Sequence, residues 1–339
     1  MEKLKNKCIR YISKKVFFLF EKVAKRYVTI ILRPKYAVSV SPLLNFSNEE
    51  NKTAILLQGP FFTVDNFTIE TIKLYKKLFP TTQVIVSTWK EESPLLLQIA
   101  EKEGAIVVQS EKPKNRGPRN INMQIVSTYE GLKIAKKNDA DYVIKSRTDQ
   151  RFYSTEIFPF LSTLTKTFPY IGKFHKQKER IVLCSHETLK YRLYGATDQF
   201  QFGNIDDLLF YWGASLDERL PGVGNTDITV RDYAKSKLAE TYLESNYLER
   251  IGRQLNWTIK DSWNAYAEHF IVVDKRTIDL YWPKYDHYRE DRLTSYQAST
   301  TDYLTFKDWF LLYNNFPNSC PENILDLPFS SEIPEAHVR

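Results

Sequence analysis

The sequence predicts an α/β fold, a mixed and mainly parallel sheet flanked by helices on both faces. Four short apolar runs alternate with three segments of helical periodicity: Thr53–Leu57, Gln83–Thr88, Ala105–Val108 and Tyr142–Lys145. The runs are continuous rather than alternating, as strands covered on both faces must be. Strand and helix also follow one another in strict turn, which is the pattern of a parallel sheet.

Each element has a local reason. Thr53–Leu57 stops at Gln58-Gly59-Pro60. Asp65 or Asn66 is expected to cap a helix through Phe79, with Phe67, Ile69, Ile72, Tyr75 and Leu78 as its apolar side. Gln83–Thr88 leads to a helix over Pro94–Lys102, whose proline suits the first turn. Gly104 reads as that helix's C-cap, ahead of the third strand. The loop "EKPKNRGPRN" then opens a helix from about Asn122 to Lys137, and Tyr142–Lys145 completes the series.

The chain has 339 residues, 42% apolar and 26% charged, enough for a large globular core. Its formal charge of +7 is uneven. Residues 1–35 hold 11 Lys/Arg against Glu2 and Glu21, leaving 37 basic against 39 acidic residues elsewhere. A nucleic-acid partner for the whole chain therefore lacks electrostatic support. Cys8, Cys184 and Cys320 are widely spaced, without metal-site spacing, as in a reducing cytosol.

Residues 1–48 form a basic amphipathic segment, with Ile9, Ile12, Val16, Phe20, Val23 and Tyr27 at helical spacing. Its longest apolar run, Val16–Phe20, is too short to span a bilayer, and no secretory cleavage site follows. Two readings stand: peripheral binding to an anionic membrane, each Lys or Arg contributing about 1 kcal/mol, or a helix docked on the main domain. Residues 49–290 form the main domain, with a nucleotide-binding half (49–150) and an acceptor half (151–290). A helical extension occupies 291–339.

In such sheets ligands bind beyond the carboxyl ends of the strands. Gln58 and Gly59, Ser87-Thr88-Trp89, and Lys145 through Asp149 fall there. Alternation along a strand puts Lys145, Arg147 and Asp149 on one side. No GxGxxG and no GxxxxGK[ST] is present, so neither a dinucleotide fold nor a P-loop is expected.

A Rossmann-type half whose fourth strand ends in an acidic motif resembles the GT-A glycosyltransferases. "ILLQGP", "VIVSTW", "NRGPRNINMQIVST", "DYVIKSRTD", "DQFQFG" and "LYWPKY", in this order, resemble the WavE family of lipopolysaccharide-synthesis proteins over roughly residues 52–290. The resemblance implies a bacterial transferase moving sugar from a nucleotide donor to a surface glycan, lipopolysaccharide or capsule, in the cytoplasm. Two other classes stand beside it: a nucleotidyltransferase of the same sheet, disfavoured by the glycine-poor first turn, and a non-catalytic glycan-binding or assembly protein.

The resemblance also assigns residues. GT-A enzymes commonly neutralise the diphosphate with Mg²⁺ or Mn²⁺ on an Asp-x-Asp motif. Here the motif reads Arg147-Thr148-Asp149, so a cation stands where the first acid belongs. Either Asp149 binds the metal with phosphate oxygens and water, or Lys145 and Arg147 supply the charge directly. An internal Arg–Asp pair is the structural alternative. Arg119 suits phosphate and Asn120 and Asn122 suit sugar hydroxyls, in a loop that also carries Asn115 and Gln124. Gln58 and Thr88 are base or ribose candidates. Lys284 is a diphosphate candidate, and His287 a late metal ligand. Glu240, in a segment resembling a helix of the family, is the first choice for the base that takes the acceptor's proton, with Asp198 second. Inversion is favoured, with retention open.

Overall fold

A computed structural model describes residues 2–25, 32–40, 52–220, 228–237, 239–284, 303–315 and 320–327. It forms two compact units, Met1–Pro34 and Lys35–Arg339. The first contains the helix α1 (Glu2–Ala24), on which Ile12, Val16, Phe20 and Val23 are each more than half exposed. No described helix is long and apolar enough to cross a membrane.

The second unit begins with β1 (Thr53–Gln58), α2 (Phe67–Leu78), β2 (Gln83–Trp89), α3 (Pro94–Lys102), β3 (Ile106–Ser110), α4 (Ile121–Lys137) and β4 (Tyr142–Arg147). These are the predicted elements, with ends moved by one or two residues. β5 (Arg151–Phe152), α5 (Ile157–Thr167), β6 (Ile181–Cys184), β7 (Gln201–Asn204), α6 (Ile205–Trp212), α7 (Val230–Lys235) and α8 (Glu240–Ile251) follow. Then come α9 (Ile259–His269), β8 (Phe270–Val273), β9 (Leu280–Tyr281) and α10 (Phe306–Tyr313).

Seven strands form one sheet in the order β3-β2-β1-β4-β7-β6-β8. β1 to β4 are parallel, β7 runs antiparallel to β4 and β6, and β8 is parallel to β6. The predicted class, a mixed and mainly parallel sheet, is the observed one. The "DQFQFG" stretch supplies β7, which lies within the sheet because it pairs on both sides. The strands are nearly all fully buried, which explains why β1 and β2 read as unbroken apolar runs.

Helix ends follow the sequence at α3 and depart from it at α2. Gly104 takes a positive φ of 87°, and the Ala105 N–H returns to the Ala100 carbonyl at 3.0 Å, closing α3 as predicted. Asp65 and Asn66 both sit in the left-handed region and neither caps α2 through its side chain. Asp65 pairs with Lys35 at 2.8 Å instead. The Thr68 hydroxyl ties the start of α2 to its surroundings, accepting from the Phe62 N–H at 2.8 Å and donating to the Thr148 carbonyl at 2.9 Å.

A separate ribbon pairs β5 with β9, setting Arg151 opposite Tyr281 and Phe152 opposite Leu280. Arg151 is fully buried and bridges this ribbon to α2. Its guanidinium donates to Thr71 Oγ1 (2.8 Å), the Phe67 carbonyl (2.9 Å) and the Lys35 carbonyl (3.0 Å), and lies 4.3 Å from the Phe67 ring. The C-terminal α10 packs on α9 and β8 through the fully buried Trp309.

Candidate functional site

The carboxyl ends of β1, β2 and β4 open into a cleft of about 730 Å³. Gln58, Trp89 and Arg147 come from those ends; Arg116, Arg119, Asn120 and Gln124 form the facing wall; Trp282 and Lys284 close it from the β9 side. The β5–β9 ribbon is what delivers this last wall. β5 begins two residues after Asp149, so pairing it with β9 carries Trp282 and Lys284 to the end of β4.

The turn after β4 is braced before any ligand arrives. The Thr148 N–H donates to the Gln58 carbonyl at 3.1 Å, and its hydroxyl to the Pro60 carbonyl at 2.6 Å. Gly59 has φ 119°, and a Cβ there would sit 3.2 Å from Thr148 Oγ1, so the tight approach requires glycine. Asp149, only 6% exposed, accepts from Arg147 Nε at 3.0 Å and lies 3.6 Å from Lys284 Nζ. Burial opposes ionisation of this carboxyl, but Arg147 and then Lys284 hold it below the ordinary carboxylate range. The Arg147 guanidinium lies 5.3 Å from the Trp282 ring, so an acid and an aromatic face both orient it.

Of the residues proposed for the donor, Gln58, Arg119, Asn120, Arg147 and Lys284 line the cleft, with Gly59 in its floor turn and Asp149 behind Arg147. Three do not reach it. Lys145 is wholly buried, donates to the Asp198 carbonyl and sits 4.7 Å from the Trp212 ring; burial pushes its ammonium down to about 8, opposed by Asp198. The strand ends at Arg147, so the alternation that grouped Lys145 with Asp149 does not continue through the turn. Thr88 is buried and bonded to Glu92 at 3.2 Å. Asn122 is spent on structure: its amide donates to the Asn115 and Asp217 carbonyls and its oxygen accepts from the Asp217 N–H at 2.7 Å. His287 lies outside the described residues.

Gln58 is 7% exposed, and its side-chain oxygen is buried without a hydrogen-bond partner. The same holds for the oxygen of Gln124. Both residues line the cleft, so it has two shielded amide oxygens with no hydrogen-bond donor. Arg116, Gln124 and Trp282 carried no role in the sequence reading. Arg116 lies in the loop before α4, Gln124 in the first turn of α4, and Trp282 in the "LYWPKY" stretch.

Glu240, the first residue of α8, lines a second and much smaller cavity of about 30 Å³ with Arg192, Tyr233 and Arg119. Arg119 lines both spaces and donates to the Tyr233 hydroxyl at 3.1 Å. Burial raises the Glu240 carboxyl, while Arg192, 3.2 Å away, counters the shift. Asp198 is buried at 3% exposure, in electrostatic reach of Lys145 and Glu240, and lines neither space. Glu244, one turn on, faces the core. It accepts from the Ala196 N–H at 2.6 Å, and burial pushes it up to about 8.

A divalent cation needs several oxygen ligands. Among the described residues there is no group of three or more His, Cys, Asp or Glu that could hold one. The carboxylate of Asp149 is bracketed by two cations. These residues do not fit a metal.

The family model described as WavE lipopolysaccharide synthesis matches residues 54–323. The chain belongs to that family. As a WavE member it falls within lipopolysaccharide synthesis. No curated protein matches its sequence. Similar solved structures include 4-diphosphocytidyl-2C-methyl-D-erythritol synthase from Anaerococcus prevotii, at 14% identity and TM-score 0.37, covering 78% of this chain and 96% of that one. Mannosyl-3-phosphoglycerate synthase from Rubrobacter xylanophilus is 14% identical at TM-score 0.35, covering 66% and 65%. Core-mannan synthase A from Aspergillus fumigatus, in its Mn/GDP form, is 12% identical at TM-score 0.33, covering 84% and 89%.

Proposed function

We propose that this WavE chain is a glycosyltransferase that moves a sugar from a nucleotide donor to a bacterial surface glycan, lipopolysaccharide or capsule. One observation carries the reading: among the described residues, the main cleft is lined by Lys112, Arg116, Arg119, Arg147 and Lys284 and by no carboxylate. A space at the strand ends with that charge favours a polyanion, and a sugar nucleotide brings a diphosphate. Trp89 and Trp282 offer ring faces, Gln58 and Gln124 polar edges for the base or ribose, and Asn120 a partner for sugar hydroxyls.

Glu240 is the general base. Burial raises its carboxyl above the ordinary carboxylate range, and Arg119 links its cavity to the donor cleft. A base in the adjoining cavity, apart from the residues that would meet the leaving diphosphate, favours inversion. The lysine-rich α1, with its exposed apolar residues, supports peripheral attachment to the cytoplasmic face of an anionic membrane.

A hydrolysis and transfer screen over UDP-, GDP-, CDP-, ADP- and TDP-sugars tests the reading, with NMR of the product to assign the anomer. Turnover of one class is the expected result. Release of pyrophosphate from a nucleoside triphosphate would favour a nucleotidyltransferase instead, and no turnover with glycan binding retained would favour a non-catalytic role.

A further inference from the structure

We propose that the donor diphosphate is bound and neutralised without a divalent cation, by an Arg147–Asp149–Lys284 cluster standing where an acidic metal motif is expected. The inference rests on the nucleotide-sugar reading above. Its starting point is the set of partners around the one acid. Asp149 is engaged by Arg147 Nε at 3.0 Å and lies 3.6 Å from Lys284 Nζ, so two cations stand where a divalent ion would need carboxylate oxygen.

The geometry supports direct use of the guanidinium. Asp149 takes Arg147 through Nε at 3.0 Å and, more loosely, Nη2 at 3.5 Å. With Trp282 beneath it and the Thr148 bonds fixing the turn, the fork is held at the cleft wall. Little side-chain freedom is then left to lose on binding phosphate. Lys284, 39% exposed along its side chain, adds a mobile point charge at the rim. Asp149 is thus a positioning residue, and it touches no phosphate itself.

In transfer, the sugar C1–O bond breaks as the acceptor oxygen bonds C1. The electron pair leaves on the diphosphate oxygen, and the acceptor's proton passes to Glu240. Arg147 and Lys284 take up the developing charge, so no further reactant is needed.

The test uses the full chain with UDP, GDP, CDP, ADP and TDP, reading tryptophan fluorescence, since Trp89 and Trp282 line the cleft. In excess EDTA at least one diphosphate should bind, and adding Mn²⁺ should change its Kd by less than about twofold. Arg147→Ala and Lys284→Ala should each weaken binding by roughly 10- to 100-fold, as loss of a charge-assisted contact does. Arg147→Lys, which keeps the charge but loses the fork, should fall between wild type and Arg147→Ala. Asp149→Asn should weaken binding about tenfold and leave it insensitive to Mn²⁺. Mn²⁺ titration followed by electron paramagnetic resonance should show no stoichiometric site. Binding that appears only with Mn²⁺, or a stoichiometric Mn²⁺ site lost in Asp149→Asn, would overturn the proposal. Absence of diphosphate binding in both conditions would instead overturn the nucleotide-sugar reading, and this inference with it.

Discussion

The hydroxyl of Thr148 donates to the carbonyl of Pro60 at 2.6 Å, tying the turn that carries Arg147 and Asp149 to the turn that follows Gln58. Two walls of the cleft are thereby one rigid piece. Thr148→Val, which leaves that carbonyl unpaired, should cost about 1–2 kcal/mol in urea unfolding. Gly59→Ala should cost about 1–3 kcal/mol through its left-handed backbone, and should weaken nucleotide binding because the new methyl presses on Thr148. Unchanged binding in both variants would show that the two walls are held independently.

Gln58→Leu and Gln124→Leu remove the two unpartnered amides. Each should weaken the preferred nucleotide by about tenfold, or roughly 1.4 kcal/mol, and narrow the preference among the five diphosphates. Calorimetric titration reads both effects. An unaltered order of preference would remove these residues from base or ribose recognition.

Glu240→Gln should lower kcat by about 10²–10⁴-fold with little change in donor KM, as loss of a general base does. The base works ionised, so kcat/KM should rise with pH through its raised pKa. Arg192 opposes that rise in pKa, so Arg192→Ala should move the acidic limb to higher pH. A pH–rate profile unaffected by Arg192→Ala would exclude Glu240 as the titrating base.

Glu244 makes stability fall with rising pH. Its folded pKa of about 8 lies above the ordinary 4.5, so the native state holds a proton that the unfolded chain releases. The contribution is complete below 4.5 and is lost as pH climbs through 8. His269, lowered by burial, acts below 6.5, and Lys145 acts above 8, so neither contributes over pH 6.5–8, and comparison with Glu244→Gln cancels the remaining groups, Glu240 among them. Over that window wild type should lose about 1–2 kcal/mol relative to Glu244→Gln. Parallel urea-unfolding curves for the two proteins would contradict the assignment.

Deleting residues 1–34 should abolish sedimentation with anionic vesicles and leave the main unit's thermal midpoint unchanged. Binding of the full chain should weaken with salt and vanish on neutral vesicles. Retention of the truncated chain on vesicles would place any attachment elsewhere.

The first half of the fold was legible because β1, β2 and most of β4 are buried on both faces, only the edge strand β3 being half-exposed, and its helices are regularly amphipathic. Period and punctuation sufficed there. The site was legible at the strand ends, where architecture alone directs Gln58 and Arg147 to one cleft. It failed where side chains answer to distant partners. Lys145 turned toward Asp198 and Trp212, and Asn122 toward Asp217, none of which is near in sequence. Glu240 and Glu244 share a helix face by spacing. Arg192 and the Ala196 N–H, from a separate loop, give one a cavity and the other a core.

The ribbon joining residues 151–152 to 280–281 has a temporal implication. A nascent chain that has emerged only through β4 already carries Arg147 and Asp149, while Lys284 and Trp282 are still to be translated. On the nucleotide-sugar reading, the full set of proposed phosphate contacts is therefore assembled only after residues 280–284 have been made.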